Sequence, residues 1–370
     1  MEYNDIEIYV VVGGPSEMLD DNTLDWIRLS NTNGIGSRKF WSLIKYYKTA
    51  SEALKHVSQN KSKVFNKIFI EKFLHNNKTK VILATDNHFS DELKNNYYCP
   101  PVLYYRGDVS LLNKTKIAII GARNSSISGK TIANAISKNL SCYFTIVSGM
   151  AHGIDTSALT SALDIGNQVV AVLPFGFDNV YPKDNIKLFE RIAENGLVVT
   201  SVFPGKPPDP GMFHVRNRIL VLLSKGIVVI EAAVKSGTMS TANLALDLGK
   251  EVMVVPGSPL DSRYYGSNLL IKNGAPLVQS AQDVLDIIGS NTVINHTLDV
   301  NSNNNFVENT KNNSRDICSV ILSKLSTVPT TIDELVLETN LSVSQILSAV
   351  SELVLDGKVI KTPSNALVIS

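Results

Sequence analysis

Between Ile117 and Val255 the chain repeats one pattern: a short run of apolar, largely β-branched residues, a polar loop, then a stretch with helical spacing. The apolar runs are Ile117–Ile120, Phe144–Val147, Val169–Leu173, Leu197–Val202, Ile227–Ile230 and Val252–Val255, and the helical stretches include Thr131–Leu140, Ile154–Leu163 and Met239–Leu248. Strands that are apolar throughout, rather than at every second residue, are buried on both faces. Alternation with helices then dictates a parallel sheet covered on both sides, an α/β Rossmann-like core. In such a fold ligands sit at the carboxyl ends of the strands, where loops enter helices.

At 370 residues, 44% of them apolar, the chain exceeds one ordinary core. Four regions are expected: a basic helical domain over 1–80, SAM- or helix-hairpin-like; the Rossmann-like core over 81–288; an Asn-rich linker over 289–314; and a winged-helix domain over 315–370. The net charge of +1 is uninformative, but its distribution is not. Seven acids in residues 1–35 face Arg28 alone, whereas residues 36–80 carry eleven Lys/Arg against Glu52 and Glu71, near +9. That block suits either a solvated helical face or a surface following a phosphate backbone. Within it Asn33-Gly34-Ile35-Gly36 separates two helical stretches, as a tight connection plugged by Ile35 or as a helix-hairpin-helix turn offering amides to phosphate. Residues 81–115 suggest a strand, a helix and an extended run to Gly107. In the tail, three helical stretches precede Lys358-Val359-Ile360 and Ala366-Leu367-Val368-Ile369, and its charge near −2 favours a protein-contact or regulatory role.

Cys99, Cys142 and Cys318 lie too far apart for a disulfide framework or a zinc site. Ile8–Val12 is too short for a signal core, and no stretch approaches the ~18 apolar residues that span a bilayer. A cytoplasmic protein without membrane contact is expected.

Three strand-to-helix loops hold the candidate chemistry: Ile120-Gly121-Ala122-Arg123-Asn124-Ser125-Ser126 running to Gly129, Val147-Ser148-Gly149-Met150-Ala151-His152-Gly153-Ile154-Asp155, and Glu231-Ala232-Ala233-Val234-Lys235-Ser236-Gly237-Thr238. Free amides at helix N-termini beside small side chains make anion sites, and Arg123 and Lys235 add charge. Two further segments fall on the same side: Tyr181-Pro182-Lys183-Asp184-Asn185, and Phe213-His214-Val215-Arg216-Asn217-Arg218. Arginines there suit bidentate phosphate contacts, although Arg216 pairing with Glu231 or Asp155 would serve structure alone. Phe175 and Tyr181 are candidate stacking platforms. Gly129-Lys130-Thr131 lacks the glycine of a P-loop and the first loop lacks G-x-G-x-x-G, so no nucleotide cofactor is expected. Ser148 has only His152 near it in sequence, no metal-ligand spacing occurs, and the expectation is a binding protein, not an enzyme.

Together, Ile-Gly-Ala-Arg-Asn (120–124), Ser-Gly-Met-Ala-His-Gly-Ile-Asp (148–155), Tyr-Pro-Lys-Asp-Asn (181–185), Arg-Asn-Arg-Ile (216–219), Glu-Ala-Ala…Ser-Gly-Thr (231–238) and Val-Pro-Gly-Ser (255–258) resemble the DNA-processing protein A family, DprA or Smf. The resemblance implies a Rossmann-like core that binds single-stranded DNA, dimerises, and helps load the recombinase RecA in natural transformation. By this resemblance Arg123 is the pocket arginine and Lys183 its basic rim, while Gly121, Ser148 and Gly149 supply backbone or hydroxyl contacts. Arg216, Arg218 and Lys235, with Ser236 and Gly237, lie near the same pocket, and Leu270 and Ile271 are candidate dimer contacts. Where the family's second loop has arginine, this chain has His152. The rival readings are an enzyme similar to nucleotide phosphoribohydrolases of the lysine-decarboxylase-like group, whose Pro-Gly-Gly-x-Gly-Thr loop is here Val-Lys-Ser-Gly-Thr, and a dimeric scaffold without DNA binding.

Overall fold

The computed structural model describes residues 19–57, 67–205 and 209–290 and, within the tail, 317, 321–322, 325, 331–339, 341, 343–356, 358–361 and 367–369. The acidic residues before Leu19, and the expected linker from residue 291 on, lie outside the described residues. Contacts divide the chain into two compact units, Met1–Val293 and Ile294–Ser370.

The first unit opens with four helices, α1 (Asp21–Ser30), α2 (Ser37–Tyr47), α3 (Ala50–His56) and α4 (Lys67–Asn76). Asp20 caps α1 by accepting from Thr23 N at 2.7 Å, and Thr49 caps α3 in the same way. Trp26, Phe40 and Trp41 pack ring to ring, with centroids 5.0–5.7 Å apart. Ile35 is buried as the plug of the Gly34–Gly36 turn. This module docks on the sheet through Asn31 Nδ2, which donates to the buried Tyr104 hydroxyl at 3.2 Å, and Trp41 Nε1, which donates to the Cys99 carbonyl at 2.8 Å.

Next come β1 (Lys80–Leu83), α5 (Asp91–Lys94) and β2 (Val102–Gly107). Then follow β3 (Lys116–Ile120), α6 (Ile127–Leu140), β4 (Thr145–Ser148), α7 (Ile154–Asp164), β5 (Val169–Leu173), α8 (Ile186–Asn195), β6 (Leu197–Thr200), α9 (Pro210–Leu223), β7 (Gly226–Val229), α10 (Gly237–Asp247), β8 (Glu251–Val254), α11 (Tyr265–Lys272) and α12 (Ala281–Ser290). The sheet order is β1-β2-β6-β5-β4-β3-β7-β8. From β6 to β8 every pairing is parallel, and β3 and β5 are buried at every residue. β2 instead joins β6 antiparallel and β1 joins β2 antiparallel, so the sheet is mixed at one edge.

The chain steps outward from β3 through β4, β5 and β6, then returns to β7 on the other side of β3. That reversal opens a crevice at the carboxyl ends of β3 and β7, the switch point where doubly wound sheets bind ligands.

In the second unit α13 (Ile332–Thr339) and α14 (Val343–Leu355) precede β9 (Val359–Lys361), which pairs antiparallel with β10 (Leu367–Ile369). Ile321, Leu325, Leu335, Ile346 and Leu353 share a separate small core with Val359 and Leu367. Helices followed by a hairpin give the winged-helix arrangement.

Candidate functional site

A cleft of about 490 Å³ occupies the switch point. Gly121, Ala122 and Arg123 after β3 form one wall, and Ser236, Gly237 and Thr238 at the start of α10 another. Phe213, His214, Arg216 and Asn217 project from the first turns of α9, and Arg263 closes one side. A small neighbouring pocket shares Arg123, Phe213 and Arg216 and adds His152, Phe175, Tyr181 and Pro182.

Two guanidinium groups flank one ring here. Arg123 Cζ lies 5.6 Å and Arg216 Cζ 5.9 Å from the Phe213 centroid. Arg123 is exposed and makes no ion pair among the described residues. Arg216 is 7% exposed and Asp155 5%, and the two face each other beneath the cleft. Burial pushes the Asp155 carboxyl up while the Arg216 guanidinium pulls it back. Burial likewise lowers Arg216, opposed by Asp155 and reinforced by the like charge of Arg123. Arg216 Nε has no hydrogen-bond partner although it is buried. Gly149 makes room for this side chain, since a Cβ there would stand 1.5 Å from Arg216 Nη1.

The structure narrows the expectation of three anion-binding helix N-termini to one. At α6 the seat is filled from within: the fully buried Glu231 carboxylate accepts from Ser126 N at 3.0 Å and from the Ser126 hydroxyl. At α7 the first turn holds Asp155, whose Oδ2 accepts from Ala151 N at 3.3 Å. Only α10 begins in the cleft, with Ser236 as its N-cap accepting from Met239 N at 3.2 Å.

The remaining candidates separate by place. Ser148 is fully buried and its hydroxyl donates to the Ile119 carbonyl at 2.6 Å, so that hydroxyl braces strands. Gly121 lies against Ile154, and its carbonyl accepts from Thr238 Oγ1 at 3.0 Å. His152 stands 3.6 Å from Asp184 on the rim. Lys183 is exposed beside Pro182, and Asn185 ties that loop to the Met150 carbonyl at 2.9 Å, so Lys183 and Arg123 share one side of the molecule. Lys235 is exposed outside the cleft lining. Arg218 points elsewhere, 3.8 Å over the Tyr98 ring. Leu270 is 3% exposed, with its side chain in the core; its neighbours Leu269 and Tyr265 are the exposed ones, and Ile271 is half-buried. Phe213 and Arg263 were not singled out as ligand contacts in the sequence, though Phe213 stands one helical turn before Arg216 on α9.

Among the described residues no helix is long and apolar enough to cross a membrane, and no group of His, Cys, Asp and Glu is placed to hold a metal.

Fold and cleft together define a doubly wound α/β protein with a cationic switch-point cleft and helical modules on either side in sequence. Residues 80–289 match the family described as DNA recombination-mediator protein A, residues 20–62 the DprA-like N-terminal HHH domain, and residues 314–365 the DprA winged helix domain. The DNA processing protein DprA of Streptococcus pneumoniae (strain ATCC BAA-255 / R6) is 38% identical over 200 residues, 54% of this chain and 71% of that protein. Its counterpart in Bacillus subtilis (strain 168) is 36% identical over 197 residues, 52% of this chain and 66% of that one. Among solved structures, DprA from S. pneumoniae superposes with a TM-score of 0.64 at 30% identity, covering 71% of this chain and 97% of that one. DNA processing protein A from Helicobacter pylori, described for its single-stranded DNA binding mode, gives 0.52 at 30% identity, covering 58% of this chain and 97% of that one. The chain belongs to the DprA/Smf family of DNA-processing proteins.

Proposed function

We propose that the protein binds single-stranded DNA in the switch-point cleft and presents it to RecA in recombination. The observation that carries this reading is the pair of guanidiniums on Phe213, one of them exposed and without a carboxylate partner. Such a pair attracts phosphate, and the ring between offers a π-face that any base can use. The start of α10 adds amides and hydroxyls on the opposite wall. Lys183 extends the positive rim past the small pocket, with His152 beside it. Phosphate and ring-face contacts carry no sequence information, so binding through them is sequence-tolerant and salt-dependent, with about one unit of log–log slope for each phosphate neutralised. The assignment of these residues, a homodimer built from the core unit, and a cytoplasmic location belong to the same reading.

The test is titration of labelled oligo-dT at two salt concentrations. Arg123→Ala is expected to weaken binding at least tenfold, to lower the salt slope by about one, and to reduce RecA nucleation on the same oligonucleotide, with an unchanged melting temperature. Wild-type affinity in the folded variant would remove the cleft from the reading.

A further inference from the structure

A second cationic and aromatic group lies outside the cleft. Tyr97 and Tyr98 occupy the turn between α5 and β2, with 59% and 37% of their surfaces exposed and their rings edge to face at 5.5 Å. Arg38, in the first turn of α2, lies 4.7 Å over Tyr97 and 5.8 Å from Tyr98. Arg218 of α9 covers Tyr98 at 3.8 Å. Three separate elements thus bring two arginines onto two tyrosines.

The conformation of the turn does not rest on these rings. Asn96 Oδ1 accepts from Tyr98 N at 3.0 Å, the Asn96 carbonyl accepts from Cys99 N at 2.9 Å, and Trp41 holds the Cys99 carbonyl. With the turn fixed by its backbone, large aromatic side chains left at the surface have no packing to explain them. The arginines pack on those rings: neither makes an ion pair among the described residues, and Arg218 Nε is buried without a hydrogen-bond partner. Arg38 is instead raised above its ordinary value by hydrogen bonding to Tyr97, with the charge interaction with that ring second. Exposed rings edged by guanidiniums that have no carboxylate partner among the described residues recognise a ligand that is flat, unsaturated and negatively charged at short intervals. Single-stranded nucleic acid meets that description.

We infer that Tyr97, Tyr98, Arg38 and Arg218 form a second single-strand contact, in which a base stacks on Tyr97 and the flanking phosphates pair with the two arginines. The inference rests on the single-strand reading of the cleft and extends it along α9. Arg216 and Arg218 are two residues apart, hence about 200° apart around that helix, one facing the cleft and the other the tyrosines. A strand leaving the cleft therefore has only the width of one helix to cross, about 10–12 Å. Exposed Lys39 and Lys45 on α2 continue the positive surface beyond Arg38. Three basic residues of the 36–80 block, Arg38, Lys39 and Lys45, thereby share a location.

The experiment uses the full chain and two fluorescein-labelled oligo-dT probes, one just long enough to fill the cleft and one several times longer. Tyr97→Ala and Arg38→Gln are each expected to weaken the long probe about tenfold and to leave the short probe unchanged, while Tyr97→Phe keeps wild-type affinity for both. An abasic long probe is expected to be insensitive to Tyr97→Ala. Wild-type binding of the long probe by both variants would overturn the inference, as would equal losses on both probes. So would variants that bind both probes normally but lose a purified protein partner, because the patch would then be a protein-docking surface. Failure of the cleft reading is told apart by Arg123→Ala, which then changes neither probe whatever the tyrosine variants do.

Discussion

Arg216 answers to two masters, and replacing it separates them. Arg216→Met removes the cation facing Asp155, where Arg216 is 7% and Asp155 5% exposed, leaving a largely buried acid at the cleft floor without its compensating charge. Breaking a buried pair from one side costs about 3–5 kcal/mol. Here the lower figure applies, because Asp155 retains the amide of Ala151 at 3.3 Å. For a folded unit of this size, about 3 kcal/mol corresponds to a fall of roughly 6–12 °C in Tm. Adding Asp155→Asn removes the stranded charge while keeping an acceptor for that amide, so the double variant is expected to recover at least half of the lost Tm. Its affinity should not recover, since a charge-assisted hydrogen bond to phosphate contributes about 1.5–3 kcal/mol, or roughly ten- to a hundredfold. The assay is thermal melting by circular dichroism beside oligo-dT anisotropy below the lower melting point. A double variant that binds within twofold of wild type would make Arg216 a brace and nothing more. A single variant that melts with wild type would dismiss the buried pair itself.

Two further outcomes concern parts of the core unit away from the cleft. Lys116 is 1% exposed, its ammonium held by the carbonyls of Leu111, Leu112 and Lys114, and burial pushes it down to about 8. A lysine depressed in the folded state weighs fully against folding below that value and is relieved as pH rises toward its unfolded value near 10.5. Stability measured in urea should therefore gain up to about 3 kcal/mol between pH 8 and 10.5 relative to Lys116→Met, whose profile lacks that contribution; parallel profiles would contradict it. Leu260, Tyr265, Leu269 and Leu277 are large apolar residues left at the surface on and around α11, with Leu260 92% exposed. If copies of the chain associate there, Leu269→Lys should shift light-scattering mass toward the monomer, and an unchanged mass would place the interface elsewhere.

How much of this was legible in the sequence depends on the range of the interaction involved. The six parallel strands were, because continuous apolar runs such as Val169–Leu173 report burial locally. The antiparallel β1–β2 edge was not: a strand's own residues do not state which neighbour it will join or in which direction. Phase errors explain two site residues. Leu270 and Leu269 differ by one residue on α11, about 100° of rotation, which exchanges core for surface; Arg216 and Arg218 differ by two on α9 and face opposite ways. The filling of the α6 N-terminus was hidden most deeply, since Glu231 stands 105 residues beyond Ser126 in the chain.

That filling bears on how the cleft works. A helix N-terminus beside a glycine loop attracts any anion, and three open together would hold polyphosphate tightly and release it slowly. Glu231 and Asp155 occupy two of them with the protein's own carboxylates, turning anion seats into braces that hold the β3 and β4 loops in position. What stays open is the start of α10, the exposed Arg123, and the ring of Phe213 between two guanidiniums. Each contributes modestly, so a strand held there must gain its affinity by touching several such points along its length. Under the proposed function, in which the strand passes to a recombinase, that arrangement lets displacement proceed one contact at a time.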